Sequence, residues 1–112
     1  MPTLAERYTD KAEQFMDLAI TENKSFFLYI PLTSVHVPLA FNKDRVPDNL
    51  TPFEATVYEM DQQVGNITRF LRQNGLEEDT LVMFTSDNGP WEYKCEYAGS
   101  TRPYLGLSLI HI

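Results

Sequence analysis

Apolar and polar positions along the chain fall into two stretches of helical spacing and two continuous apolar runs. Leu4, Tyr8, Ala12, Phe15, Met16 and Ala19 recur three to four residues apart, while Glu6, Arg7, Asp10, Glu13, Gln14 and Asp17 fill the other positions. That is the pattern of a helix with one apolar stripe, suited to packing on a sheet. Thr3-Leu4-Ala5-Glu6 has the spacing of a capping box, so the helix is predicted to start there and to stop at Asn23-Lys24. Phe26-Phe27-Leu28-Tyr29-Ile30 follows as a continuous, aromatic-rich run that predicts a buried strand ending at Pro31. From Thr33 to Leu50 no period holds and prolines interrupt, which predicts a long excursion of the kind that covers a site. Thr51-Pro52-Phe53-Glu54 is a second capping box with proline at the first helical position. Phe53, Val57, Met60, Val64, Ile67 and Leu71 then predict a second helix, stopped by Asn74-Gly75, with Gly65 allowing close approach to a sheet. Leu81 to Thr85 is the second continuous run, again strand-like, and Asp87-Asn88-Gly89-Pro90 ends it in a polar turn.

Strand, helix and strand in that order predict a right-handed parallel βαβ unit and an α/β fold. In such a sheet ligands bind beyond the carboxyl ends of the strands. His36 and Asp87 are therefore expected on one edge, on the order of 10 Å or about two strand spacings apart. Two parallel strands cannot bury themselves, and the chain ends in the strand-like, uncharged Leu105 to Ile112. The expectation is a fragment of a larger domain.

Composition narrows the partners. Nine basic against 16 acidic residues give a net charge of −7, which disfavours nucleic acid and anionic membranes. Neither apolar run approaches the ~20 residues of a membrane span, and the charged neighbourhood of Met1 does not resemble a signal peptide. The single cysteine, Cys95, has no partner for an internal disulfide. Three Asn-x-Ser/Thr triplets, at Asn23, Asn49 and Asn66, use half of the six asparagines and lean toward a secretory route. Together with the lack of a signal sequence, they predict a missing N-terminal part.

The chemistry in reach is that of hard oxygen ligands and one imidazole. Asp87 and Asn88 suit Ca²⁺ or Mg²⁺, but these ions take about six to eight ligands, so the pair is part of a site at most. The alternative is a turn built for its own sake. His36 could bind an anion or move a proton near neutral pH, or be an ordinary surface residue. Trp91, Tyr93, Tyr97 and Tyr104 could wall a pocket or simply pack, and Asp61 reads as a local helix pair. Phosphate loops, zinc-ligand spacings and a nucleophile elbow are absent from the 112 residues.

Phe26 to Ile30, Val35-His36-Val37-Pro38, Tyr58 to Gly65 and Leu81 to Pro90, in this order and spacing, resemble the middle of a sulfatase of the arylsulfatase type. The resemblance runs from about Leu4 to Gly106. It implies part of an alkaline-phosphatase-like α/β/α sandwich over residues 1–106, with 107–112 as a tail outside the family pattern. It implies Asp87 and Asn88 as metal ligands of an active-site Ca²⁺ and His36 as the catalytic-centre histidine that contacts the substrate sulfate. The parent enzyme would hydrolyse sulfate monoesters, with glycosaminoglycans among the candidate substrates, and would be lysosomal or secreted and glycosylated. The family nucleophile is a formylglycine made in a Cys-x-Pro/Ala-x-Arg motif. Cys95 is followed by Glu96-Tyr97-Ala98 and does not match it, so the chain alone is expected to be inactive. Arg102 also departs from the glycine usual there. A non-catalytic binding or decoy product, and a metal-dependent phosphatase or phosphodiesterase of the same superfamily, are the alternative readings.

Overall fold

The local signals at the helix ends are all realised. A computed structural model of the protein describes residues 3–90, 99 and 100 and contains two helices, α1 (Leu4–Thr21) and α2 (Pro52–Gln73). Both begin in a complete capping box. Thr3 takes the Glu6 N–H and the Glu6 carboxylate takes the Thr3 N–H, and Thr51 and Glu54 repeat the arrangement with Pro52 in the first turn. Each box satisfies two N–H groups that a helix start otherwise leaves without partners.

Both helices also end alike, in Schellman motifs. After α1, Lys24 N–H donates to Ala19 O at 2.9 Å and Asn23 N–H to Ile20 O at 3.0 Å. After α2, Leu76 N–H donates to Leu71 O at 2.9 Å and Gly75 N–H to Arg72 O at 3.1 Å. The residue that turns the chain has a positive φ in each case, 53° at Asn23 and 69° at Gly75. Glycine and asparagine are the residues that accept this conformation most readily.

The helices pack on each other along a seam that coincides with the apolar stripes only in part, sharing Ala12, Met16, Ala19 and Leu71 with them. On α1 the buried residues are Ala5, Glu6, Thr9, Ala12, Met16 and Ala19. Without Glu6 their spacing is four, three, four, three, as in a helix-on-helix seam. On α2 they are Ala55, Thr56, Glu59, Gln63 and Leu71. Small residues let the backbones approach, and the buried hydroxyls of Thr9 and Thr56 donate back to Ala5 O (3.2 Å) and Pro52 O (2.8 Å) in the preceding turn. The predicted core stripe of α2 is only half-buried at Phe53, Val57, Met60, Val64 and Ile67. On α1, Leu4 and Phe15 are 43% and 45% exposed. Glu6, expected on the solvent face, is buried instead. At Gly65 an added methyl would meet nothing within 4 Å, so the close approach expected there is not made.

The predicted strands do not form. Among the described residues there is no β-strand, and neither 26–30 nor 81–85 carries ladder hydrogen bonds. Among the described residues the parallel βαβ unit is therefore not formed, and of the α/β/α sandwich these residues show only helices. The reason is physical. A helix closes its hydrogen bonds within itself, whereas a strand must borrow them from a neighbour. Phe26, Leu28 and Ile30 are half-buried and Phe27 and Tyr29 exposed, a period of two that keeps the side-chain alternation of a strand without its partners. Phe26 rests edge-on against Phe15 of α1, ring centres 6.5 Å apart.

Residues up to Thr80 form one unit and those from Leu81 onward a second. His36 belongs to the first, and Asp87 and Asn88 to the second. Trp91, Tyr93, Cys95 and Tyr97, as well as Arg102, Tyr104 and the 107–112 tail, lie outside the described residues.

Candidate functional site

His36 sits on an exposed turn directly after the 26–33 segment. Two short bonds fold the chain here, Leu32 N–H to Ile30 O and His36 N–H to Thr33 O, both 3.0 Å. The His36 Nδ1 lies 2.6 Å from the Val37 carbonyl oxygen. A carbonyl can only accept, so Nδ1 carries the proton and Nε2 is left for another partner. A neutral ring in that tautomer accepts at Nε2, and a protonated one donates there to an anion.

Asp87 and Asn88 occupy an exposed turn in the second unit. Side chains hold the turn through its own backbone. Ser86 Oγ donates to Asn88 O at 2.7 Å, Thr85 Oγ1 to Ser86 O at 3.2 Å, and Asn88 Nδ2 to Gly89 O at 2.8 Å. Such bonds replace a ladder with a local turn. The oxygen donors are of the kind a hard cation takes. Their number is short of what Ca²⁺ requires, and no cluster of three or more His, Cys, Asp or Glu suited to a metal exists among the described residues.

A third polar constellation was not anticipated from the sequence. The Glu6 and Glu59 carboxylates are both buried between α1 and α2, and the 33–50 excursion closes over them. Arg45 Nη1 pairs with Glu6 Oε1 at 2.7 Å, Asn42 Nδ2 reaches the same oxygen at 3.4 Å, and Asn42 N–H donates to Glu59 Oε1 at 3.0 Å. Burial pushes the Glu6 carboxyl up, but the Thr3 N–H, the Asn42 amide, the Arg45 charge and the Thr3 hydroxyl outweigh it and hold its pKa below the ordinary glutamate value. Glu59 Oε2 is buried without a hydrogen bond among the described residues. A cavity of about 350 Å³ is lined by Glu59 together with Arg45, Val46, Gln62, Gln63 and Asn66. The available sequence signal was the pair Glu59 and Gln63, four residues apart in step with Ala55 on one helix face.

A family model for sulfatases matches residues 1–106. The chain belongs to the sulfatase family. Its relatives include arylsulfatase G of Mus musculus, 39% identical over 96% of this chain and 21% of the relative, and arylsulfatase G of Homo sapiens, 39% identical over 96% and 20%. Arylsulfatase A of Homo sapiens is 34% identical over 80% of the chain and 18% of its own length. The chain thus spans about a fifth of the length of the arylsulfatase G proteins it matches. No solved structure gives a significant match. Among the described residues no helix of this sulfatase chain is long and apolar enough to cross a membrane.

Proposed function

We propose that this chain supplies part of the active site of an arylsulfatase-type enzyme that hydrolyses sulfate monoesters. The observation that carries the reading is the sulfatase match over residues 1–106, which includes both His36 and the Asp87-Asn88-Gly89-Pro90 turn. His36 binds a sulfate oxygen through Nε2, with Nδ1 fixed on the Val37 carbonyl so that one tautomer faces the substrate. Asp87 and Asn88 hold Ca²⁺ with ligands contributed by other parts of a complete sulfatase domain. Calcium, when bound, neutralises sulfate charge and supports the nucleophile. The Cys-x-Pro/Ala-x-Arg motif does not occur in these 112 residues, so the isolated chain is proposed to lack turnover. The parent enzyme is proposed to be lysosomal or secreted, with sulfated glycosaminoglycans among its candidate substrates.

The reading is tested by exchanging the matching stretch of human arylsulfatase G for residues 4–106 of this chain and assaying a chromogenic aryl sulfate. Hydrolysis is expected, and His36→Ala should lower kcat/KM by roughly 10²-fold. A folded, exported chimera whose rate is indifferent to His36 would remove the sulfate-binding role.

A further inference from the structure

We propose that Asn23 is the asparagine of this chain that carries an N-linked glycan, and that Asn49 and Asn66, although in equally complete triplets, do not. The three look alike in sequence and differ in what their side chains are doing. Acceptance requires an asparagine amide and the hydroxyl two residues on, both presented together on accessible backbone.

Asn66 fails on every count. It lies within α2, where residues two apart point to well-separated faces, so Asn66 and Thr68 cannot be presented together. Its Oδ1 accepts from Arg69 Nη1 at 2.9 Å, and its side chain is half-buried in the wall of the cavity beside Glu59. The Thr68 hydroxyl is engaged with Val64 O and Gly65 O, both at 3.1 Å. Asn49 is exposed, but its triplet hydroxyl is the helix cap. Thr51 Oγ1 accepts from Glu54 N–H at 3.3 Å and donates to Glu54 Oε2 at 2.8 Å, and Pro52 follows with its φ fixed. Helices form in about a microsecond, whereas a chain grows by roughly 5–20 residues per second. These local arrangements are thus available to a nascent chain.

Asn23 is different. It stands one residue past the α1 cap with φ 53°, exposed, and Ser25 is exposed on the irregular segment beyond. Among the described residues no hydrogen bond engages either side chain. The Schellman bonds are made by backbone N–H groups of Asn23 and Lys24, so a glycan on the side chain costs the helix end nothing.

In the transfer, Asn23 Nδ2 forms a bond to the anomeric carbon of an oligosaccharide carried on a lipid pyrophosphate. The carbon–oxygen bond to the pyrophosphate breaks with its electron pair leaving on the pyrophosphate, and the amide proton passes to a base of the transferring enzyme. The inference does not depend on the sulfatase reading, because the test supplies entry to the secretory route.

The full chain, placed behind a cleavable secretion leader, is expressed in a eukaryotic cell, and the translocated chain is read by its mobility before and after peptide N-glycosidase. One glycan is expected. Asn23→Gly, which keeps the positive φ favourable, should abolish the shift, and so should Ser25→Ala, which leaves Asn23 in place. Asn49→Gln and Asn66→Gln should retain it. No shift in the parent chain, a shift that survives both Asn23→Gly and Ser25→Ala, or one lost in Asn66→Gln would overturn the proposal.

Discussion

Arg45 Nη1 stands 2.7 Å from Glu6 Oε1, joining a side chain that is 69% exposed to one that is 5% exposed. The same Glu6 carboxylate caps the first turn of α1 through the Thr3 N–H. One side chain therefore starts a helix and ties the 33–50 excursion to it, across 39 positions of sequence.

This predicts an acid dependence. The folded Glu6 carboxyl has its pKa lowered, so below the ordinary value the unfolded chain binds more protons than the folded one. The contribution is whole above about pH 4.5 and is lost as pH falls from there through the folded pKa. Glu54, held low by the Thr51 N–H, and Glu77, held low by Arg72, add slopes of the same sign. Thermal unfolding followed by circular dichroism at a series of pH values should therefore show a shallower acid slope in Glu6→Gln than in the parent chain. Equal slopes would mean that Glu6 carries no such linkage.

Gly75 offers a test of backbone strain without a clash. A Cβ there meets nothing within 4 Å, yet φ is 69°. Gly75→Ala should cost about 1 kcal/mol in urea unfolding, from the left-handed conformation alone, and Gly75→Asn should cost less. Equal costs for the two variants would point to a cause other than φ.

Met16 is 1% exposed and is the most deeply buried apolar side chain that α1 contributes to the helix seam. Met16→Ala should lower stability by about 2–5 kcal/mol through lost burial and the cavity left behind. Phe15→Ala, one residue away but 45% exposed, should cost clearly less in the same denaturation series. A reversed order would contradict the placement of the seam.

Whether a feature was legible in the sequence depended on how far its partners lie along the chain. Capping boxes, the proline at the start of α2 and the two positive-φ stops use contacts within about six residues, and all were readable from side-chain type. The runs at 26–30 and 81–85 were read as strands from their apolar, β-branched and aromatic content. That content states only that the residues suit a sheet, and the hydrogen bonds must come from elsewhere. Leu81 and Met83 are accordingly 84% and 79% exposed. Glu6 was misplaced because a carboxylate between apolar positions reads as solvent-facing, and the Arg45 and Asn42 that make its burial tolerable lie in a stretch with no period. His36, Asp87 and Asn88 became candidate site residues mainly through the resemblance of their surroundings to sulfatases. Their local structure adds a defined tautomer at His36 and a self-bonded turn at Asp87-Asn88.

The most direct measurement of the proposed role is the calcium dependence of aryl sulfate hydrolysis by the arylsulfatase G chimera carrying residues 4–106, compared with its Asp87→Ala variant after chelation and stepwise return of Ca²⁺. The metal-ligand role predicts that the variant, folded and exported like the parent, needs at least about tenfold more Ca²⁺ to reach half its activity or recovers none. Superimposable calcium titrations for the two proteins would contradict it.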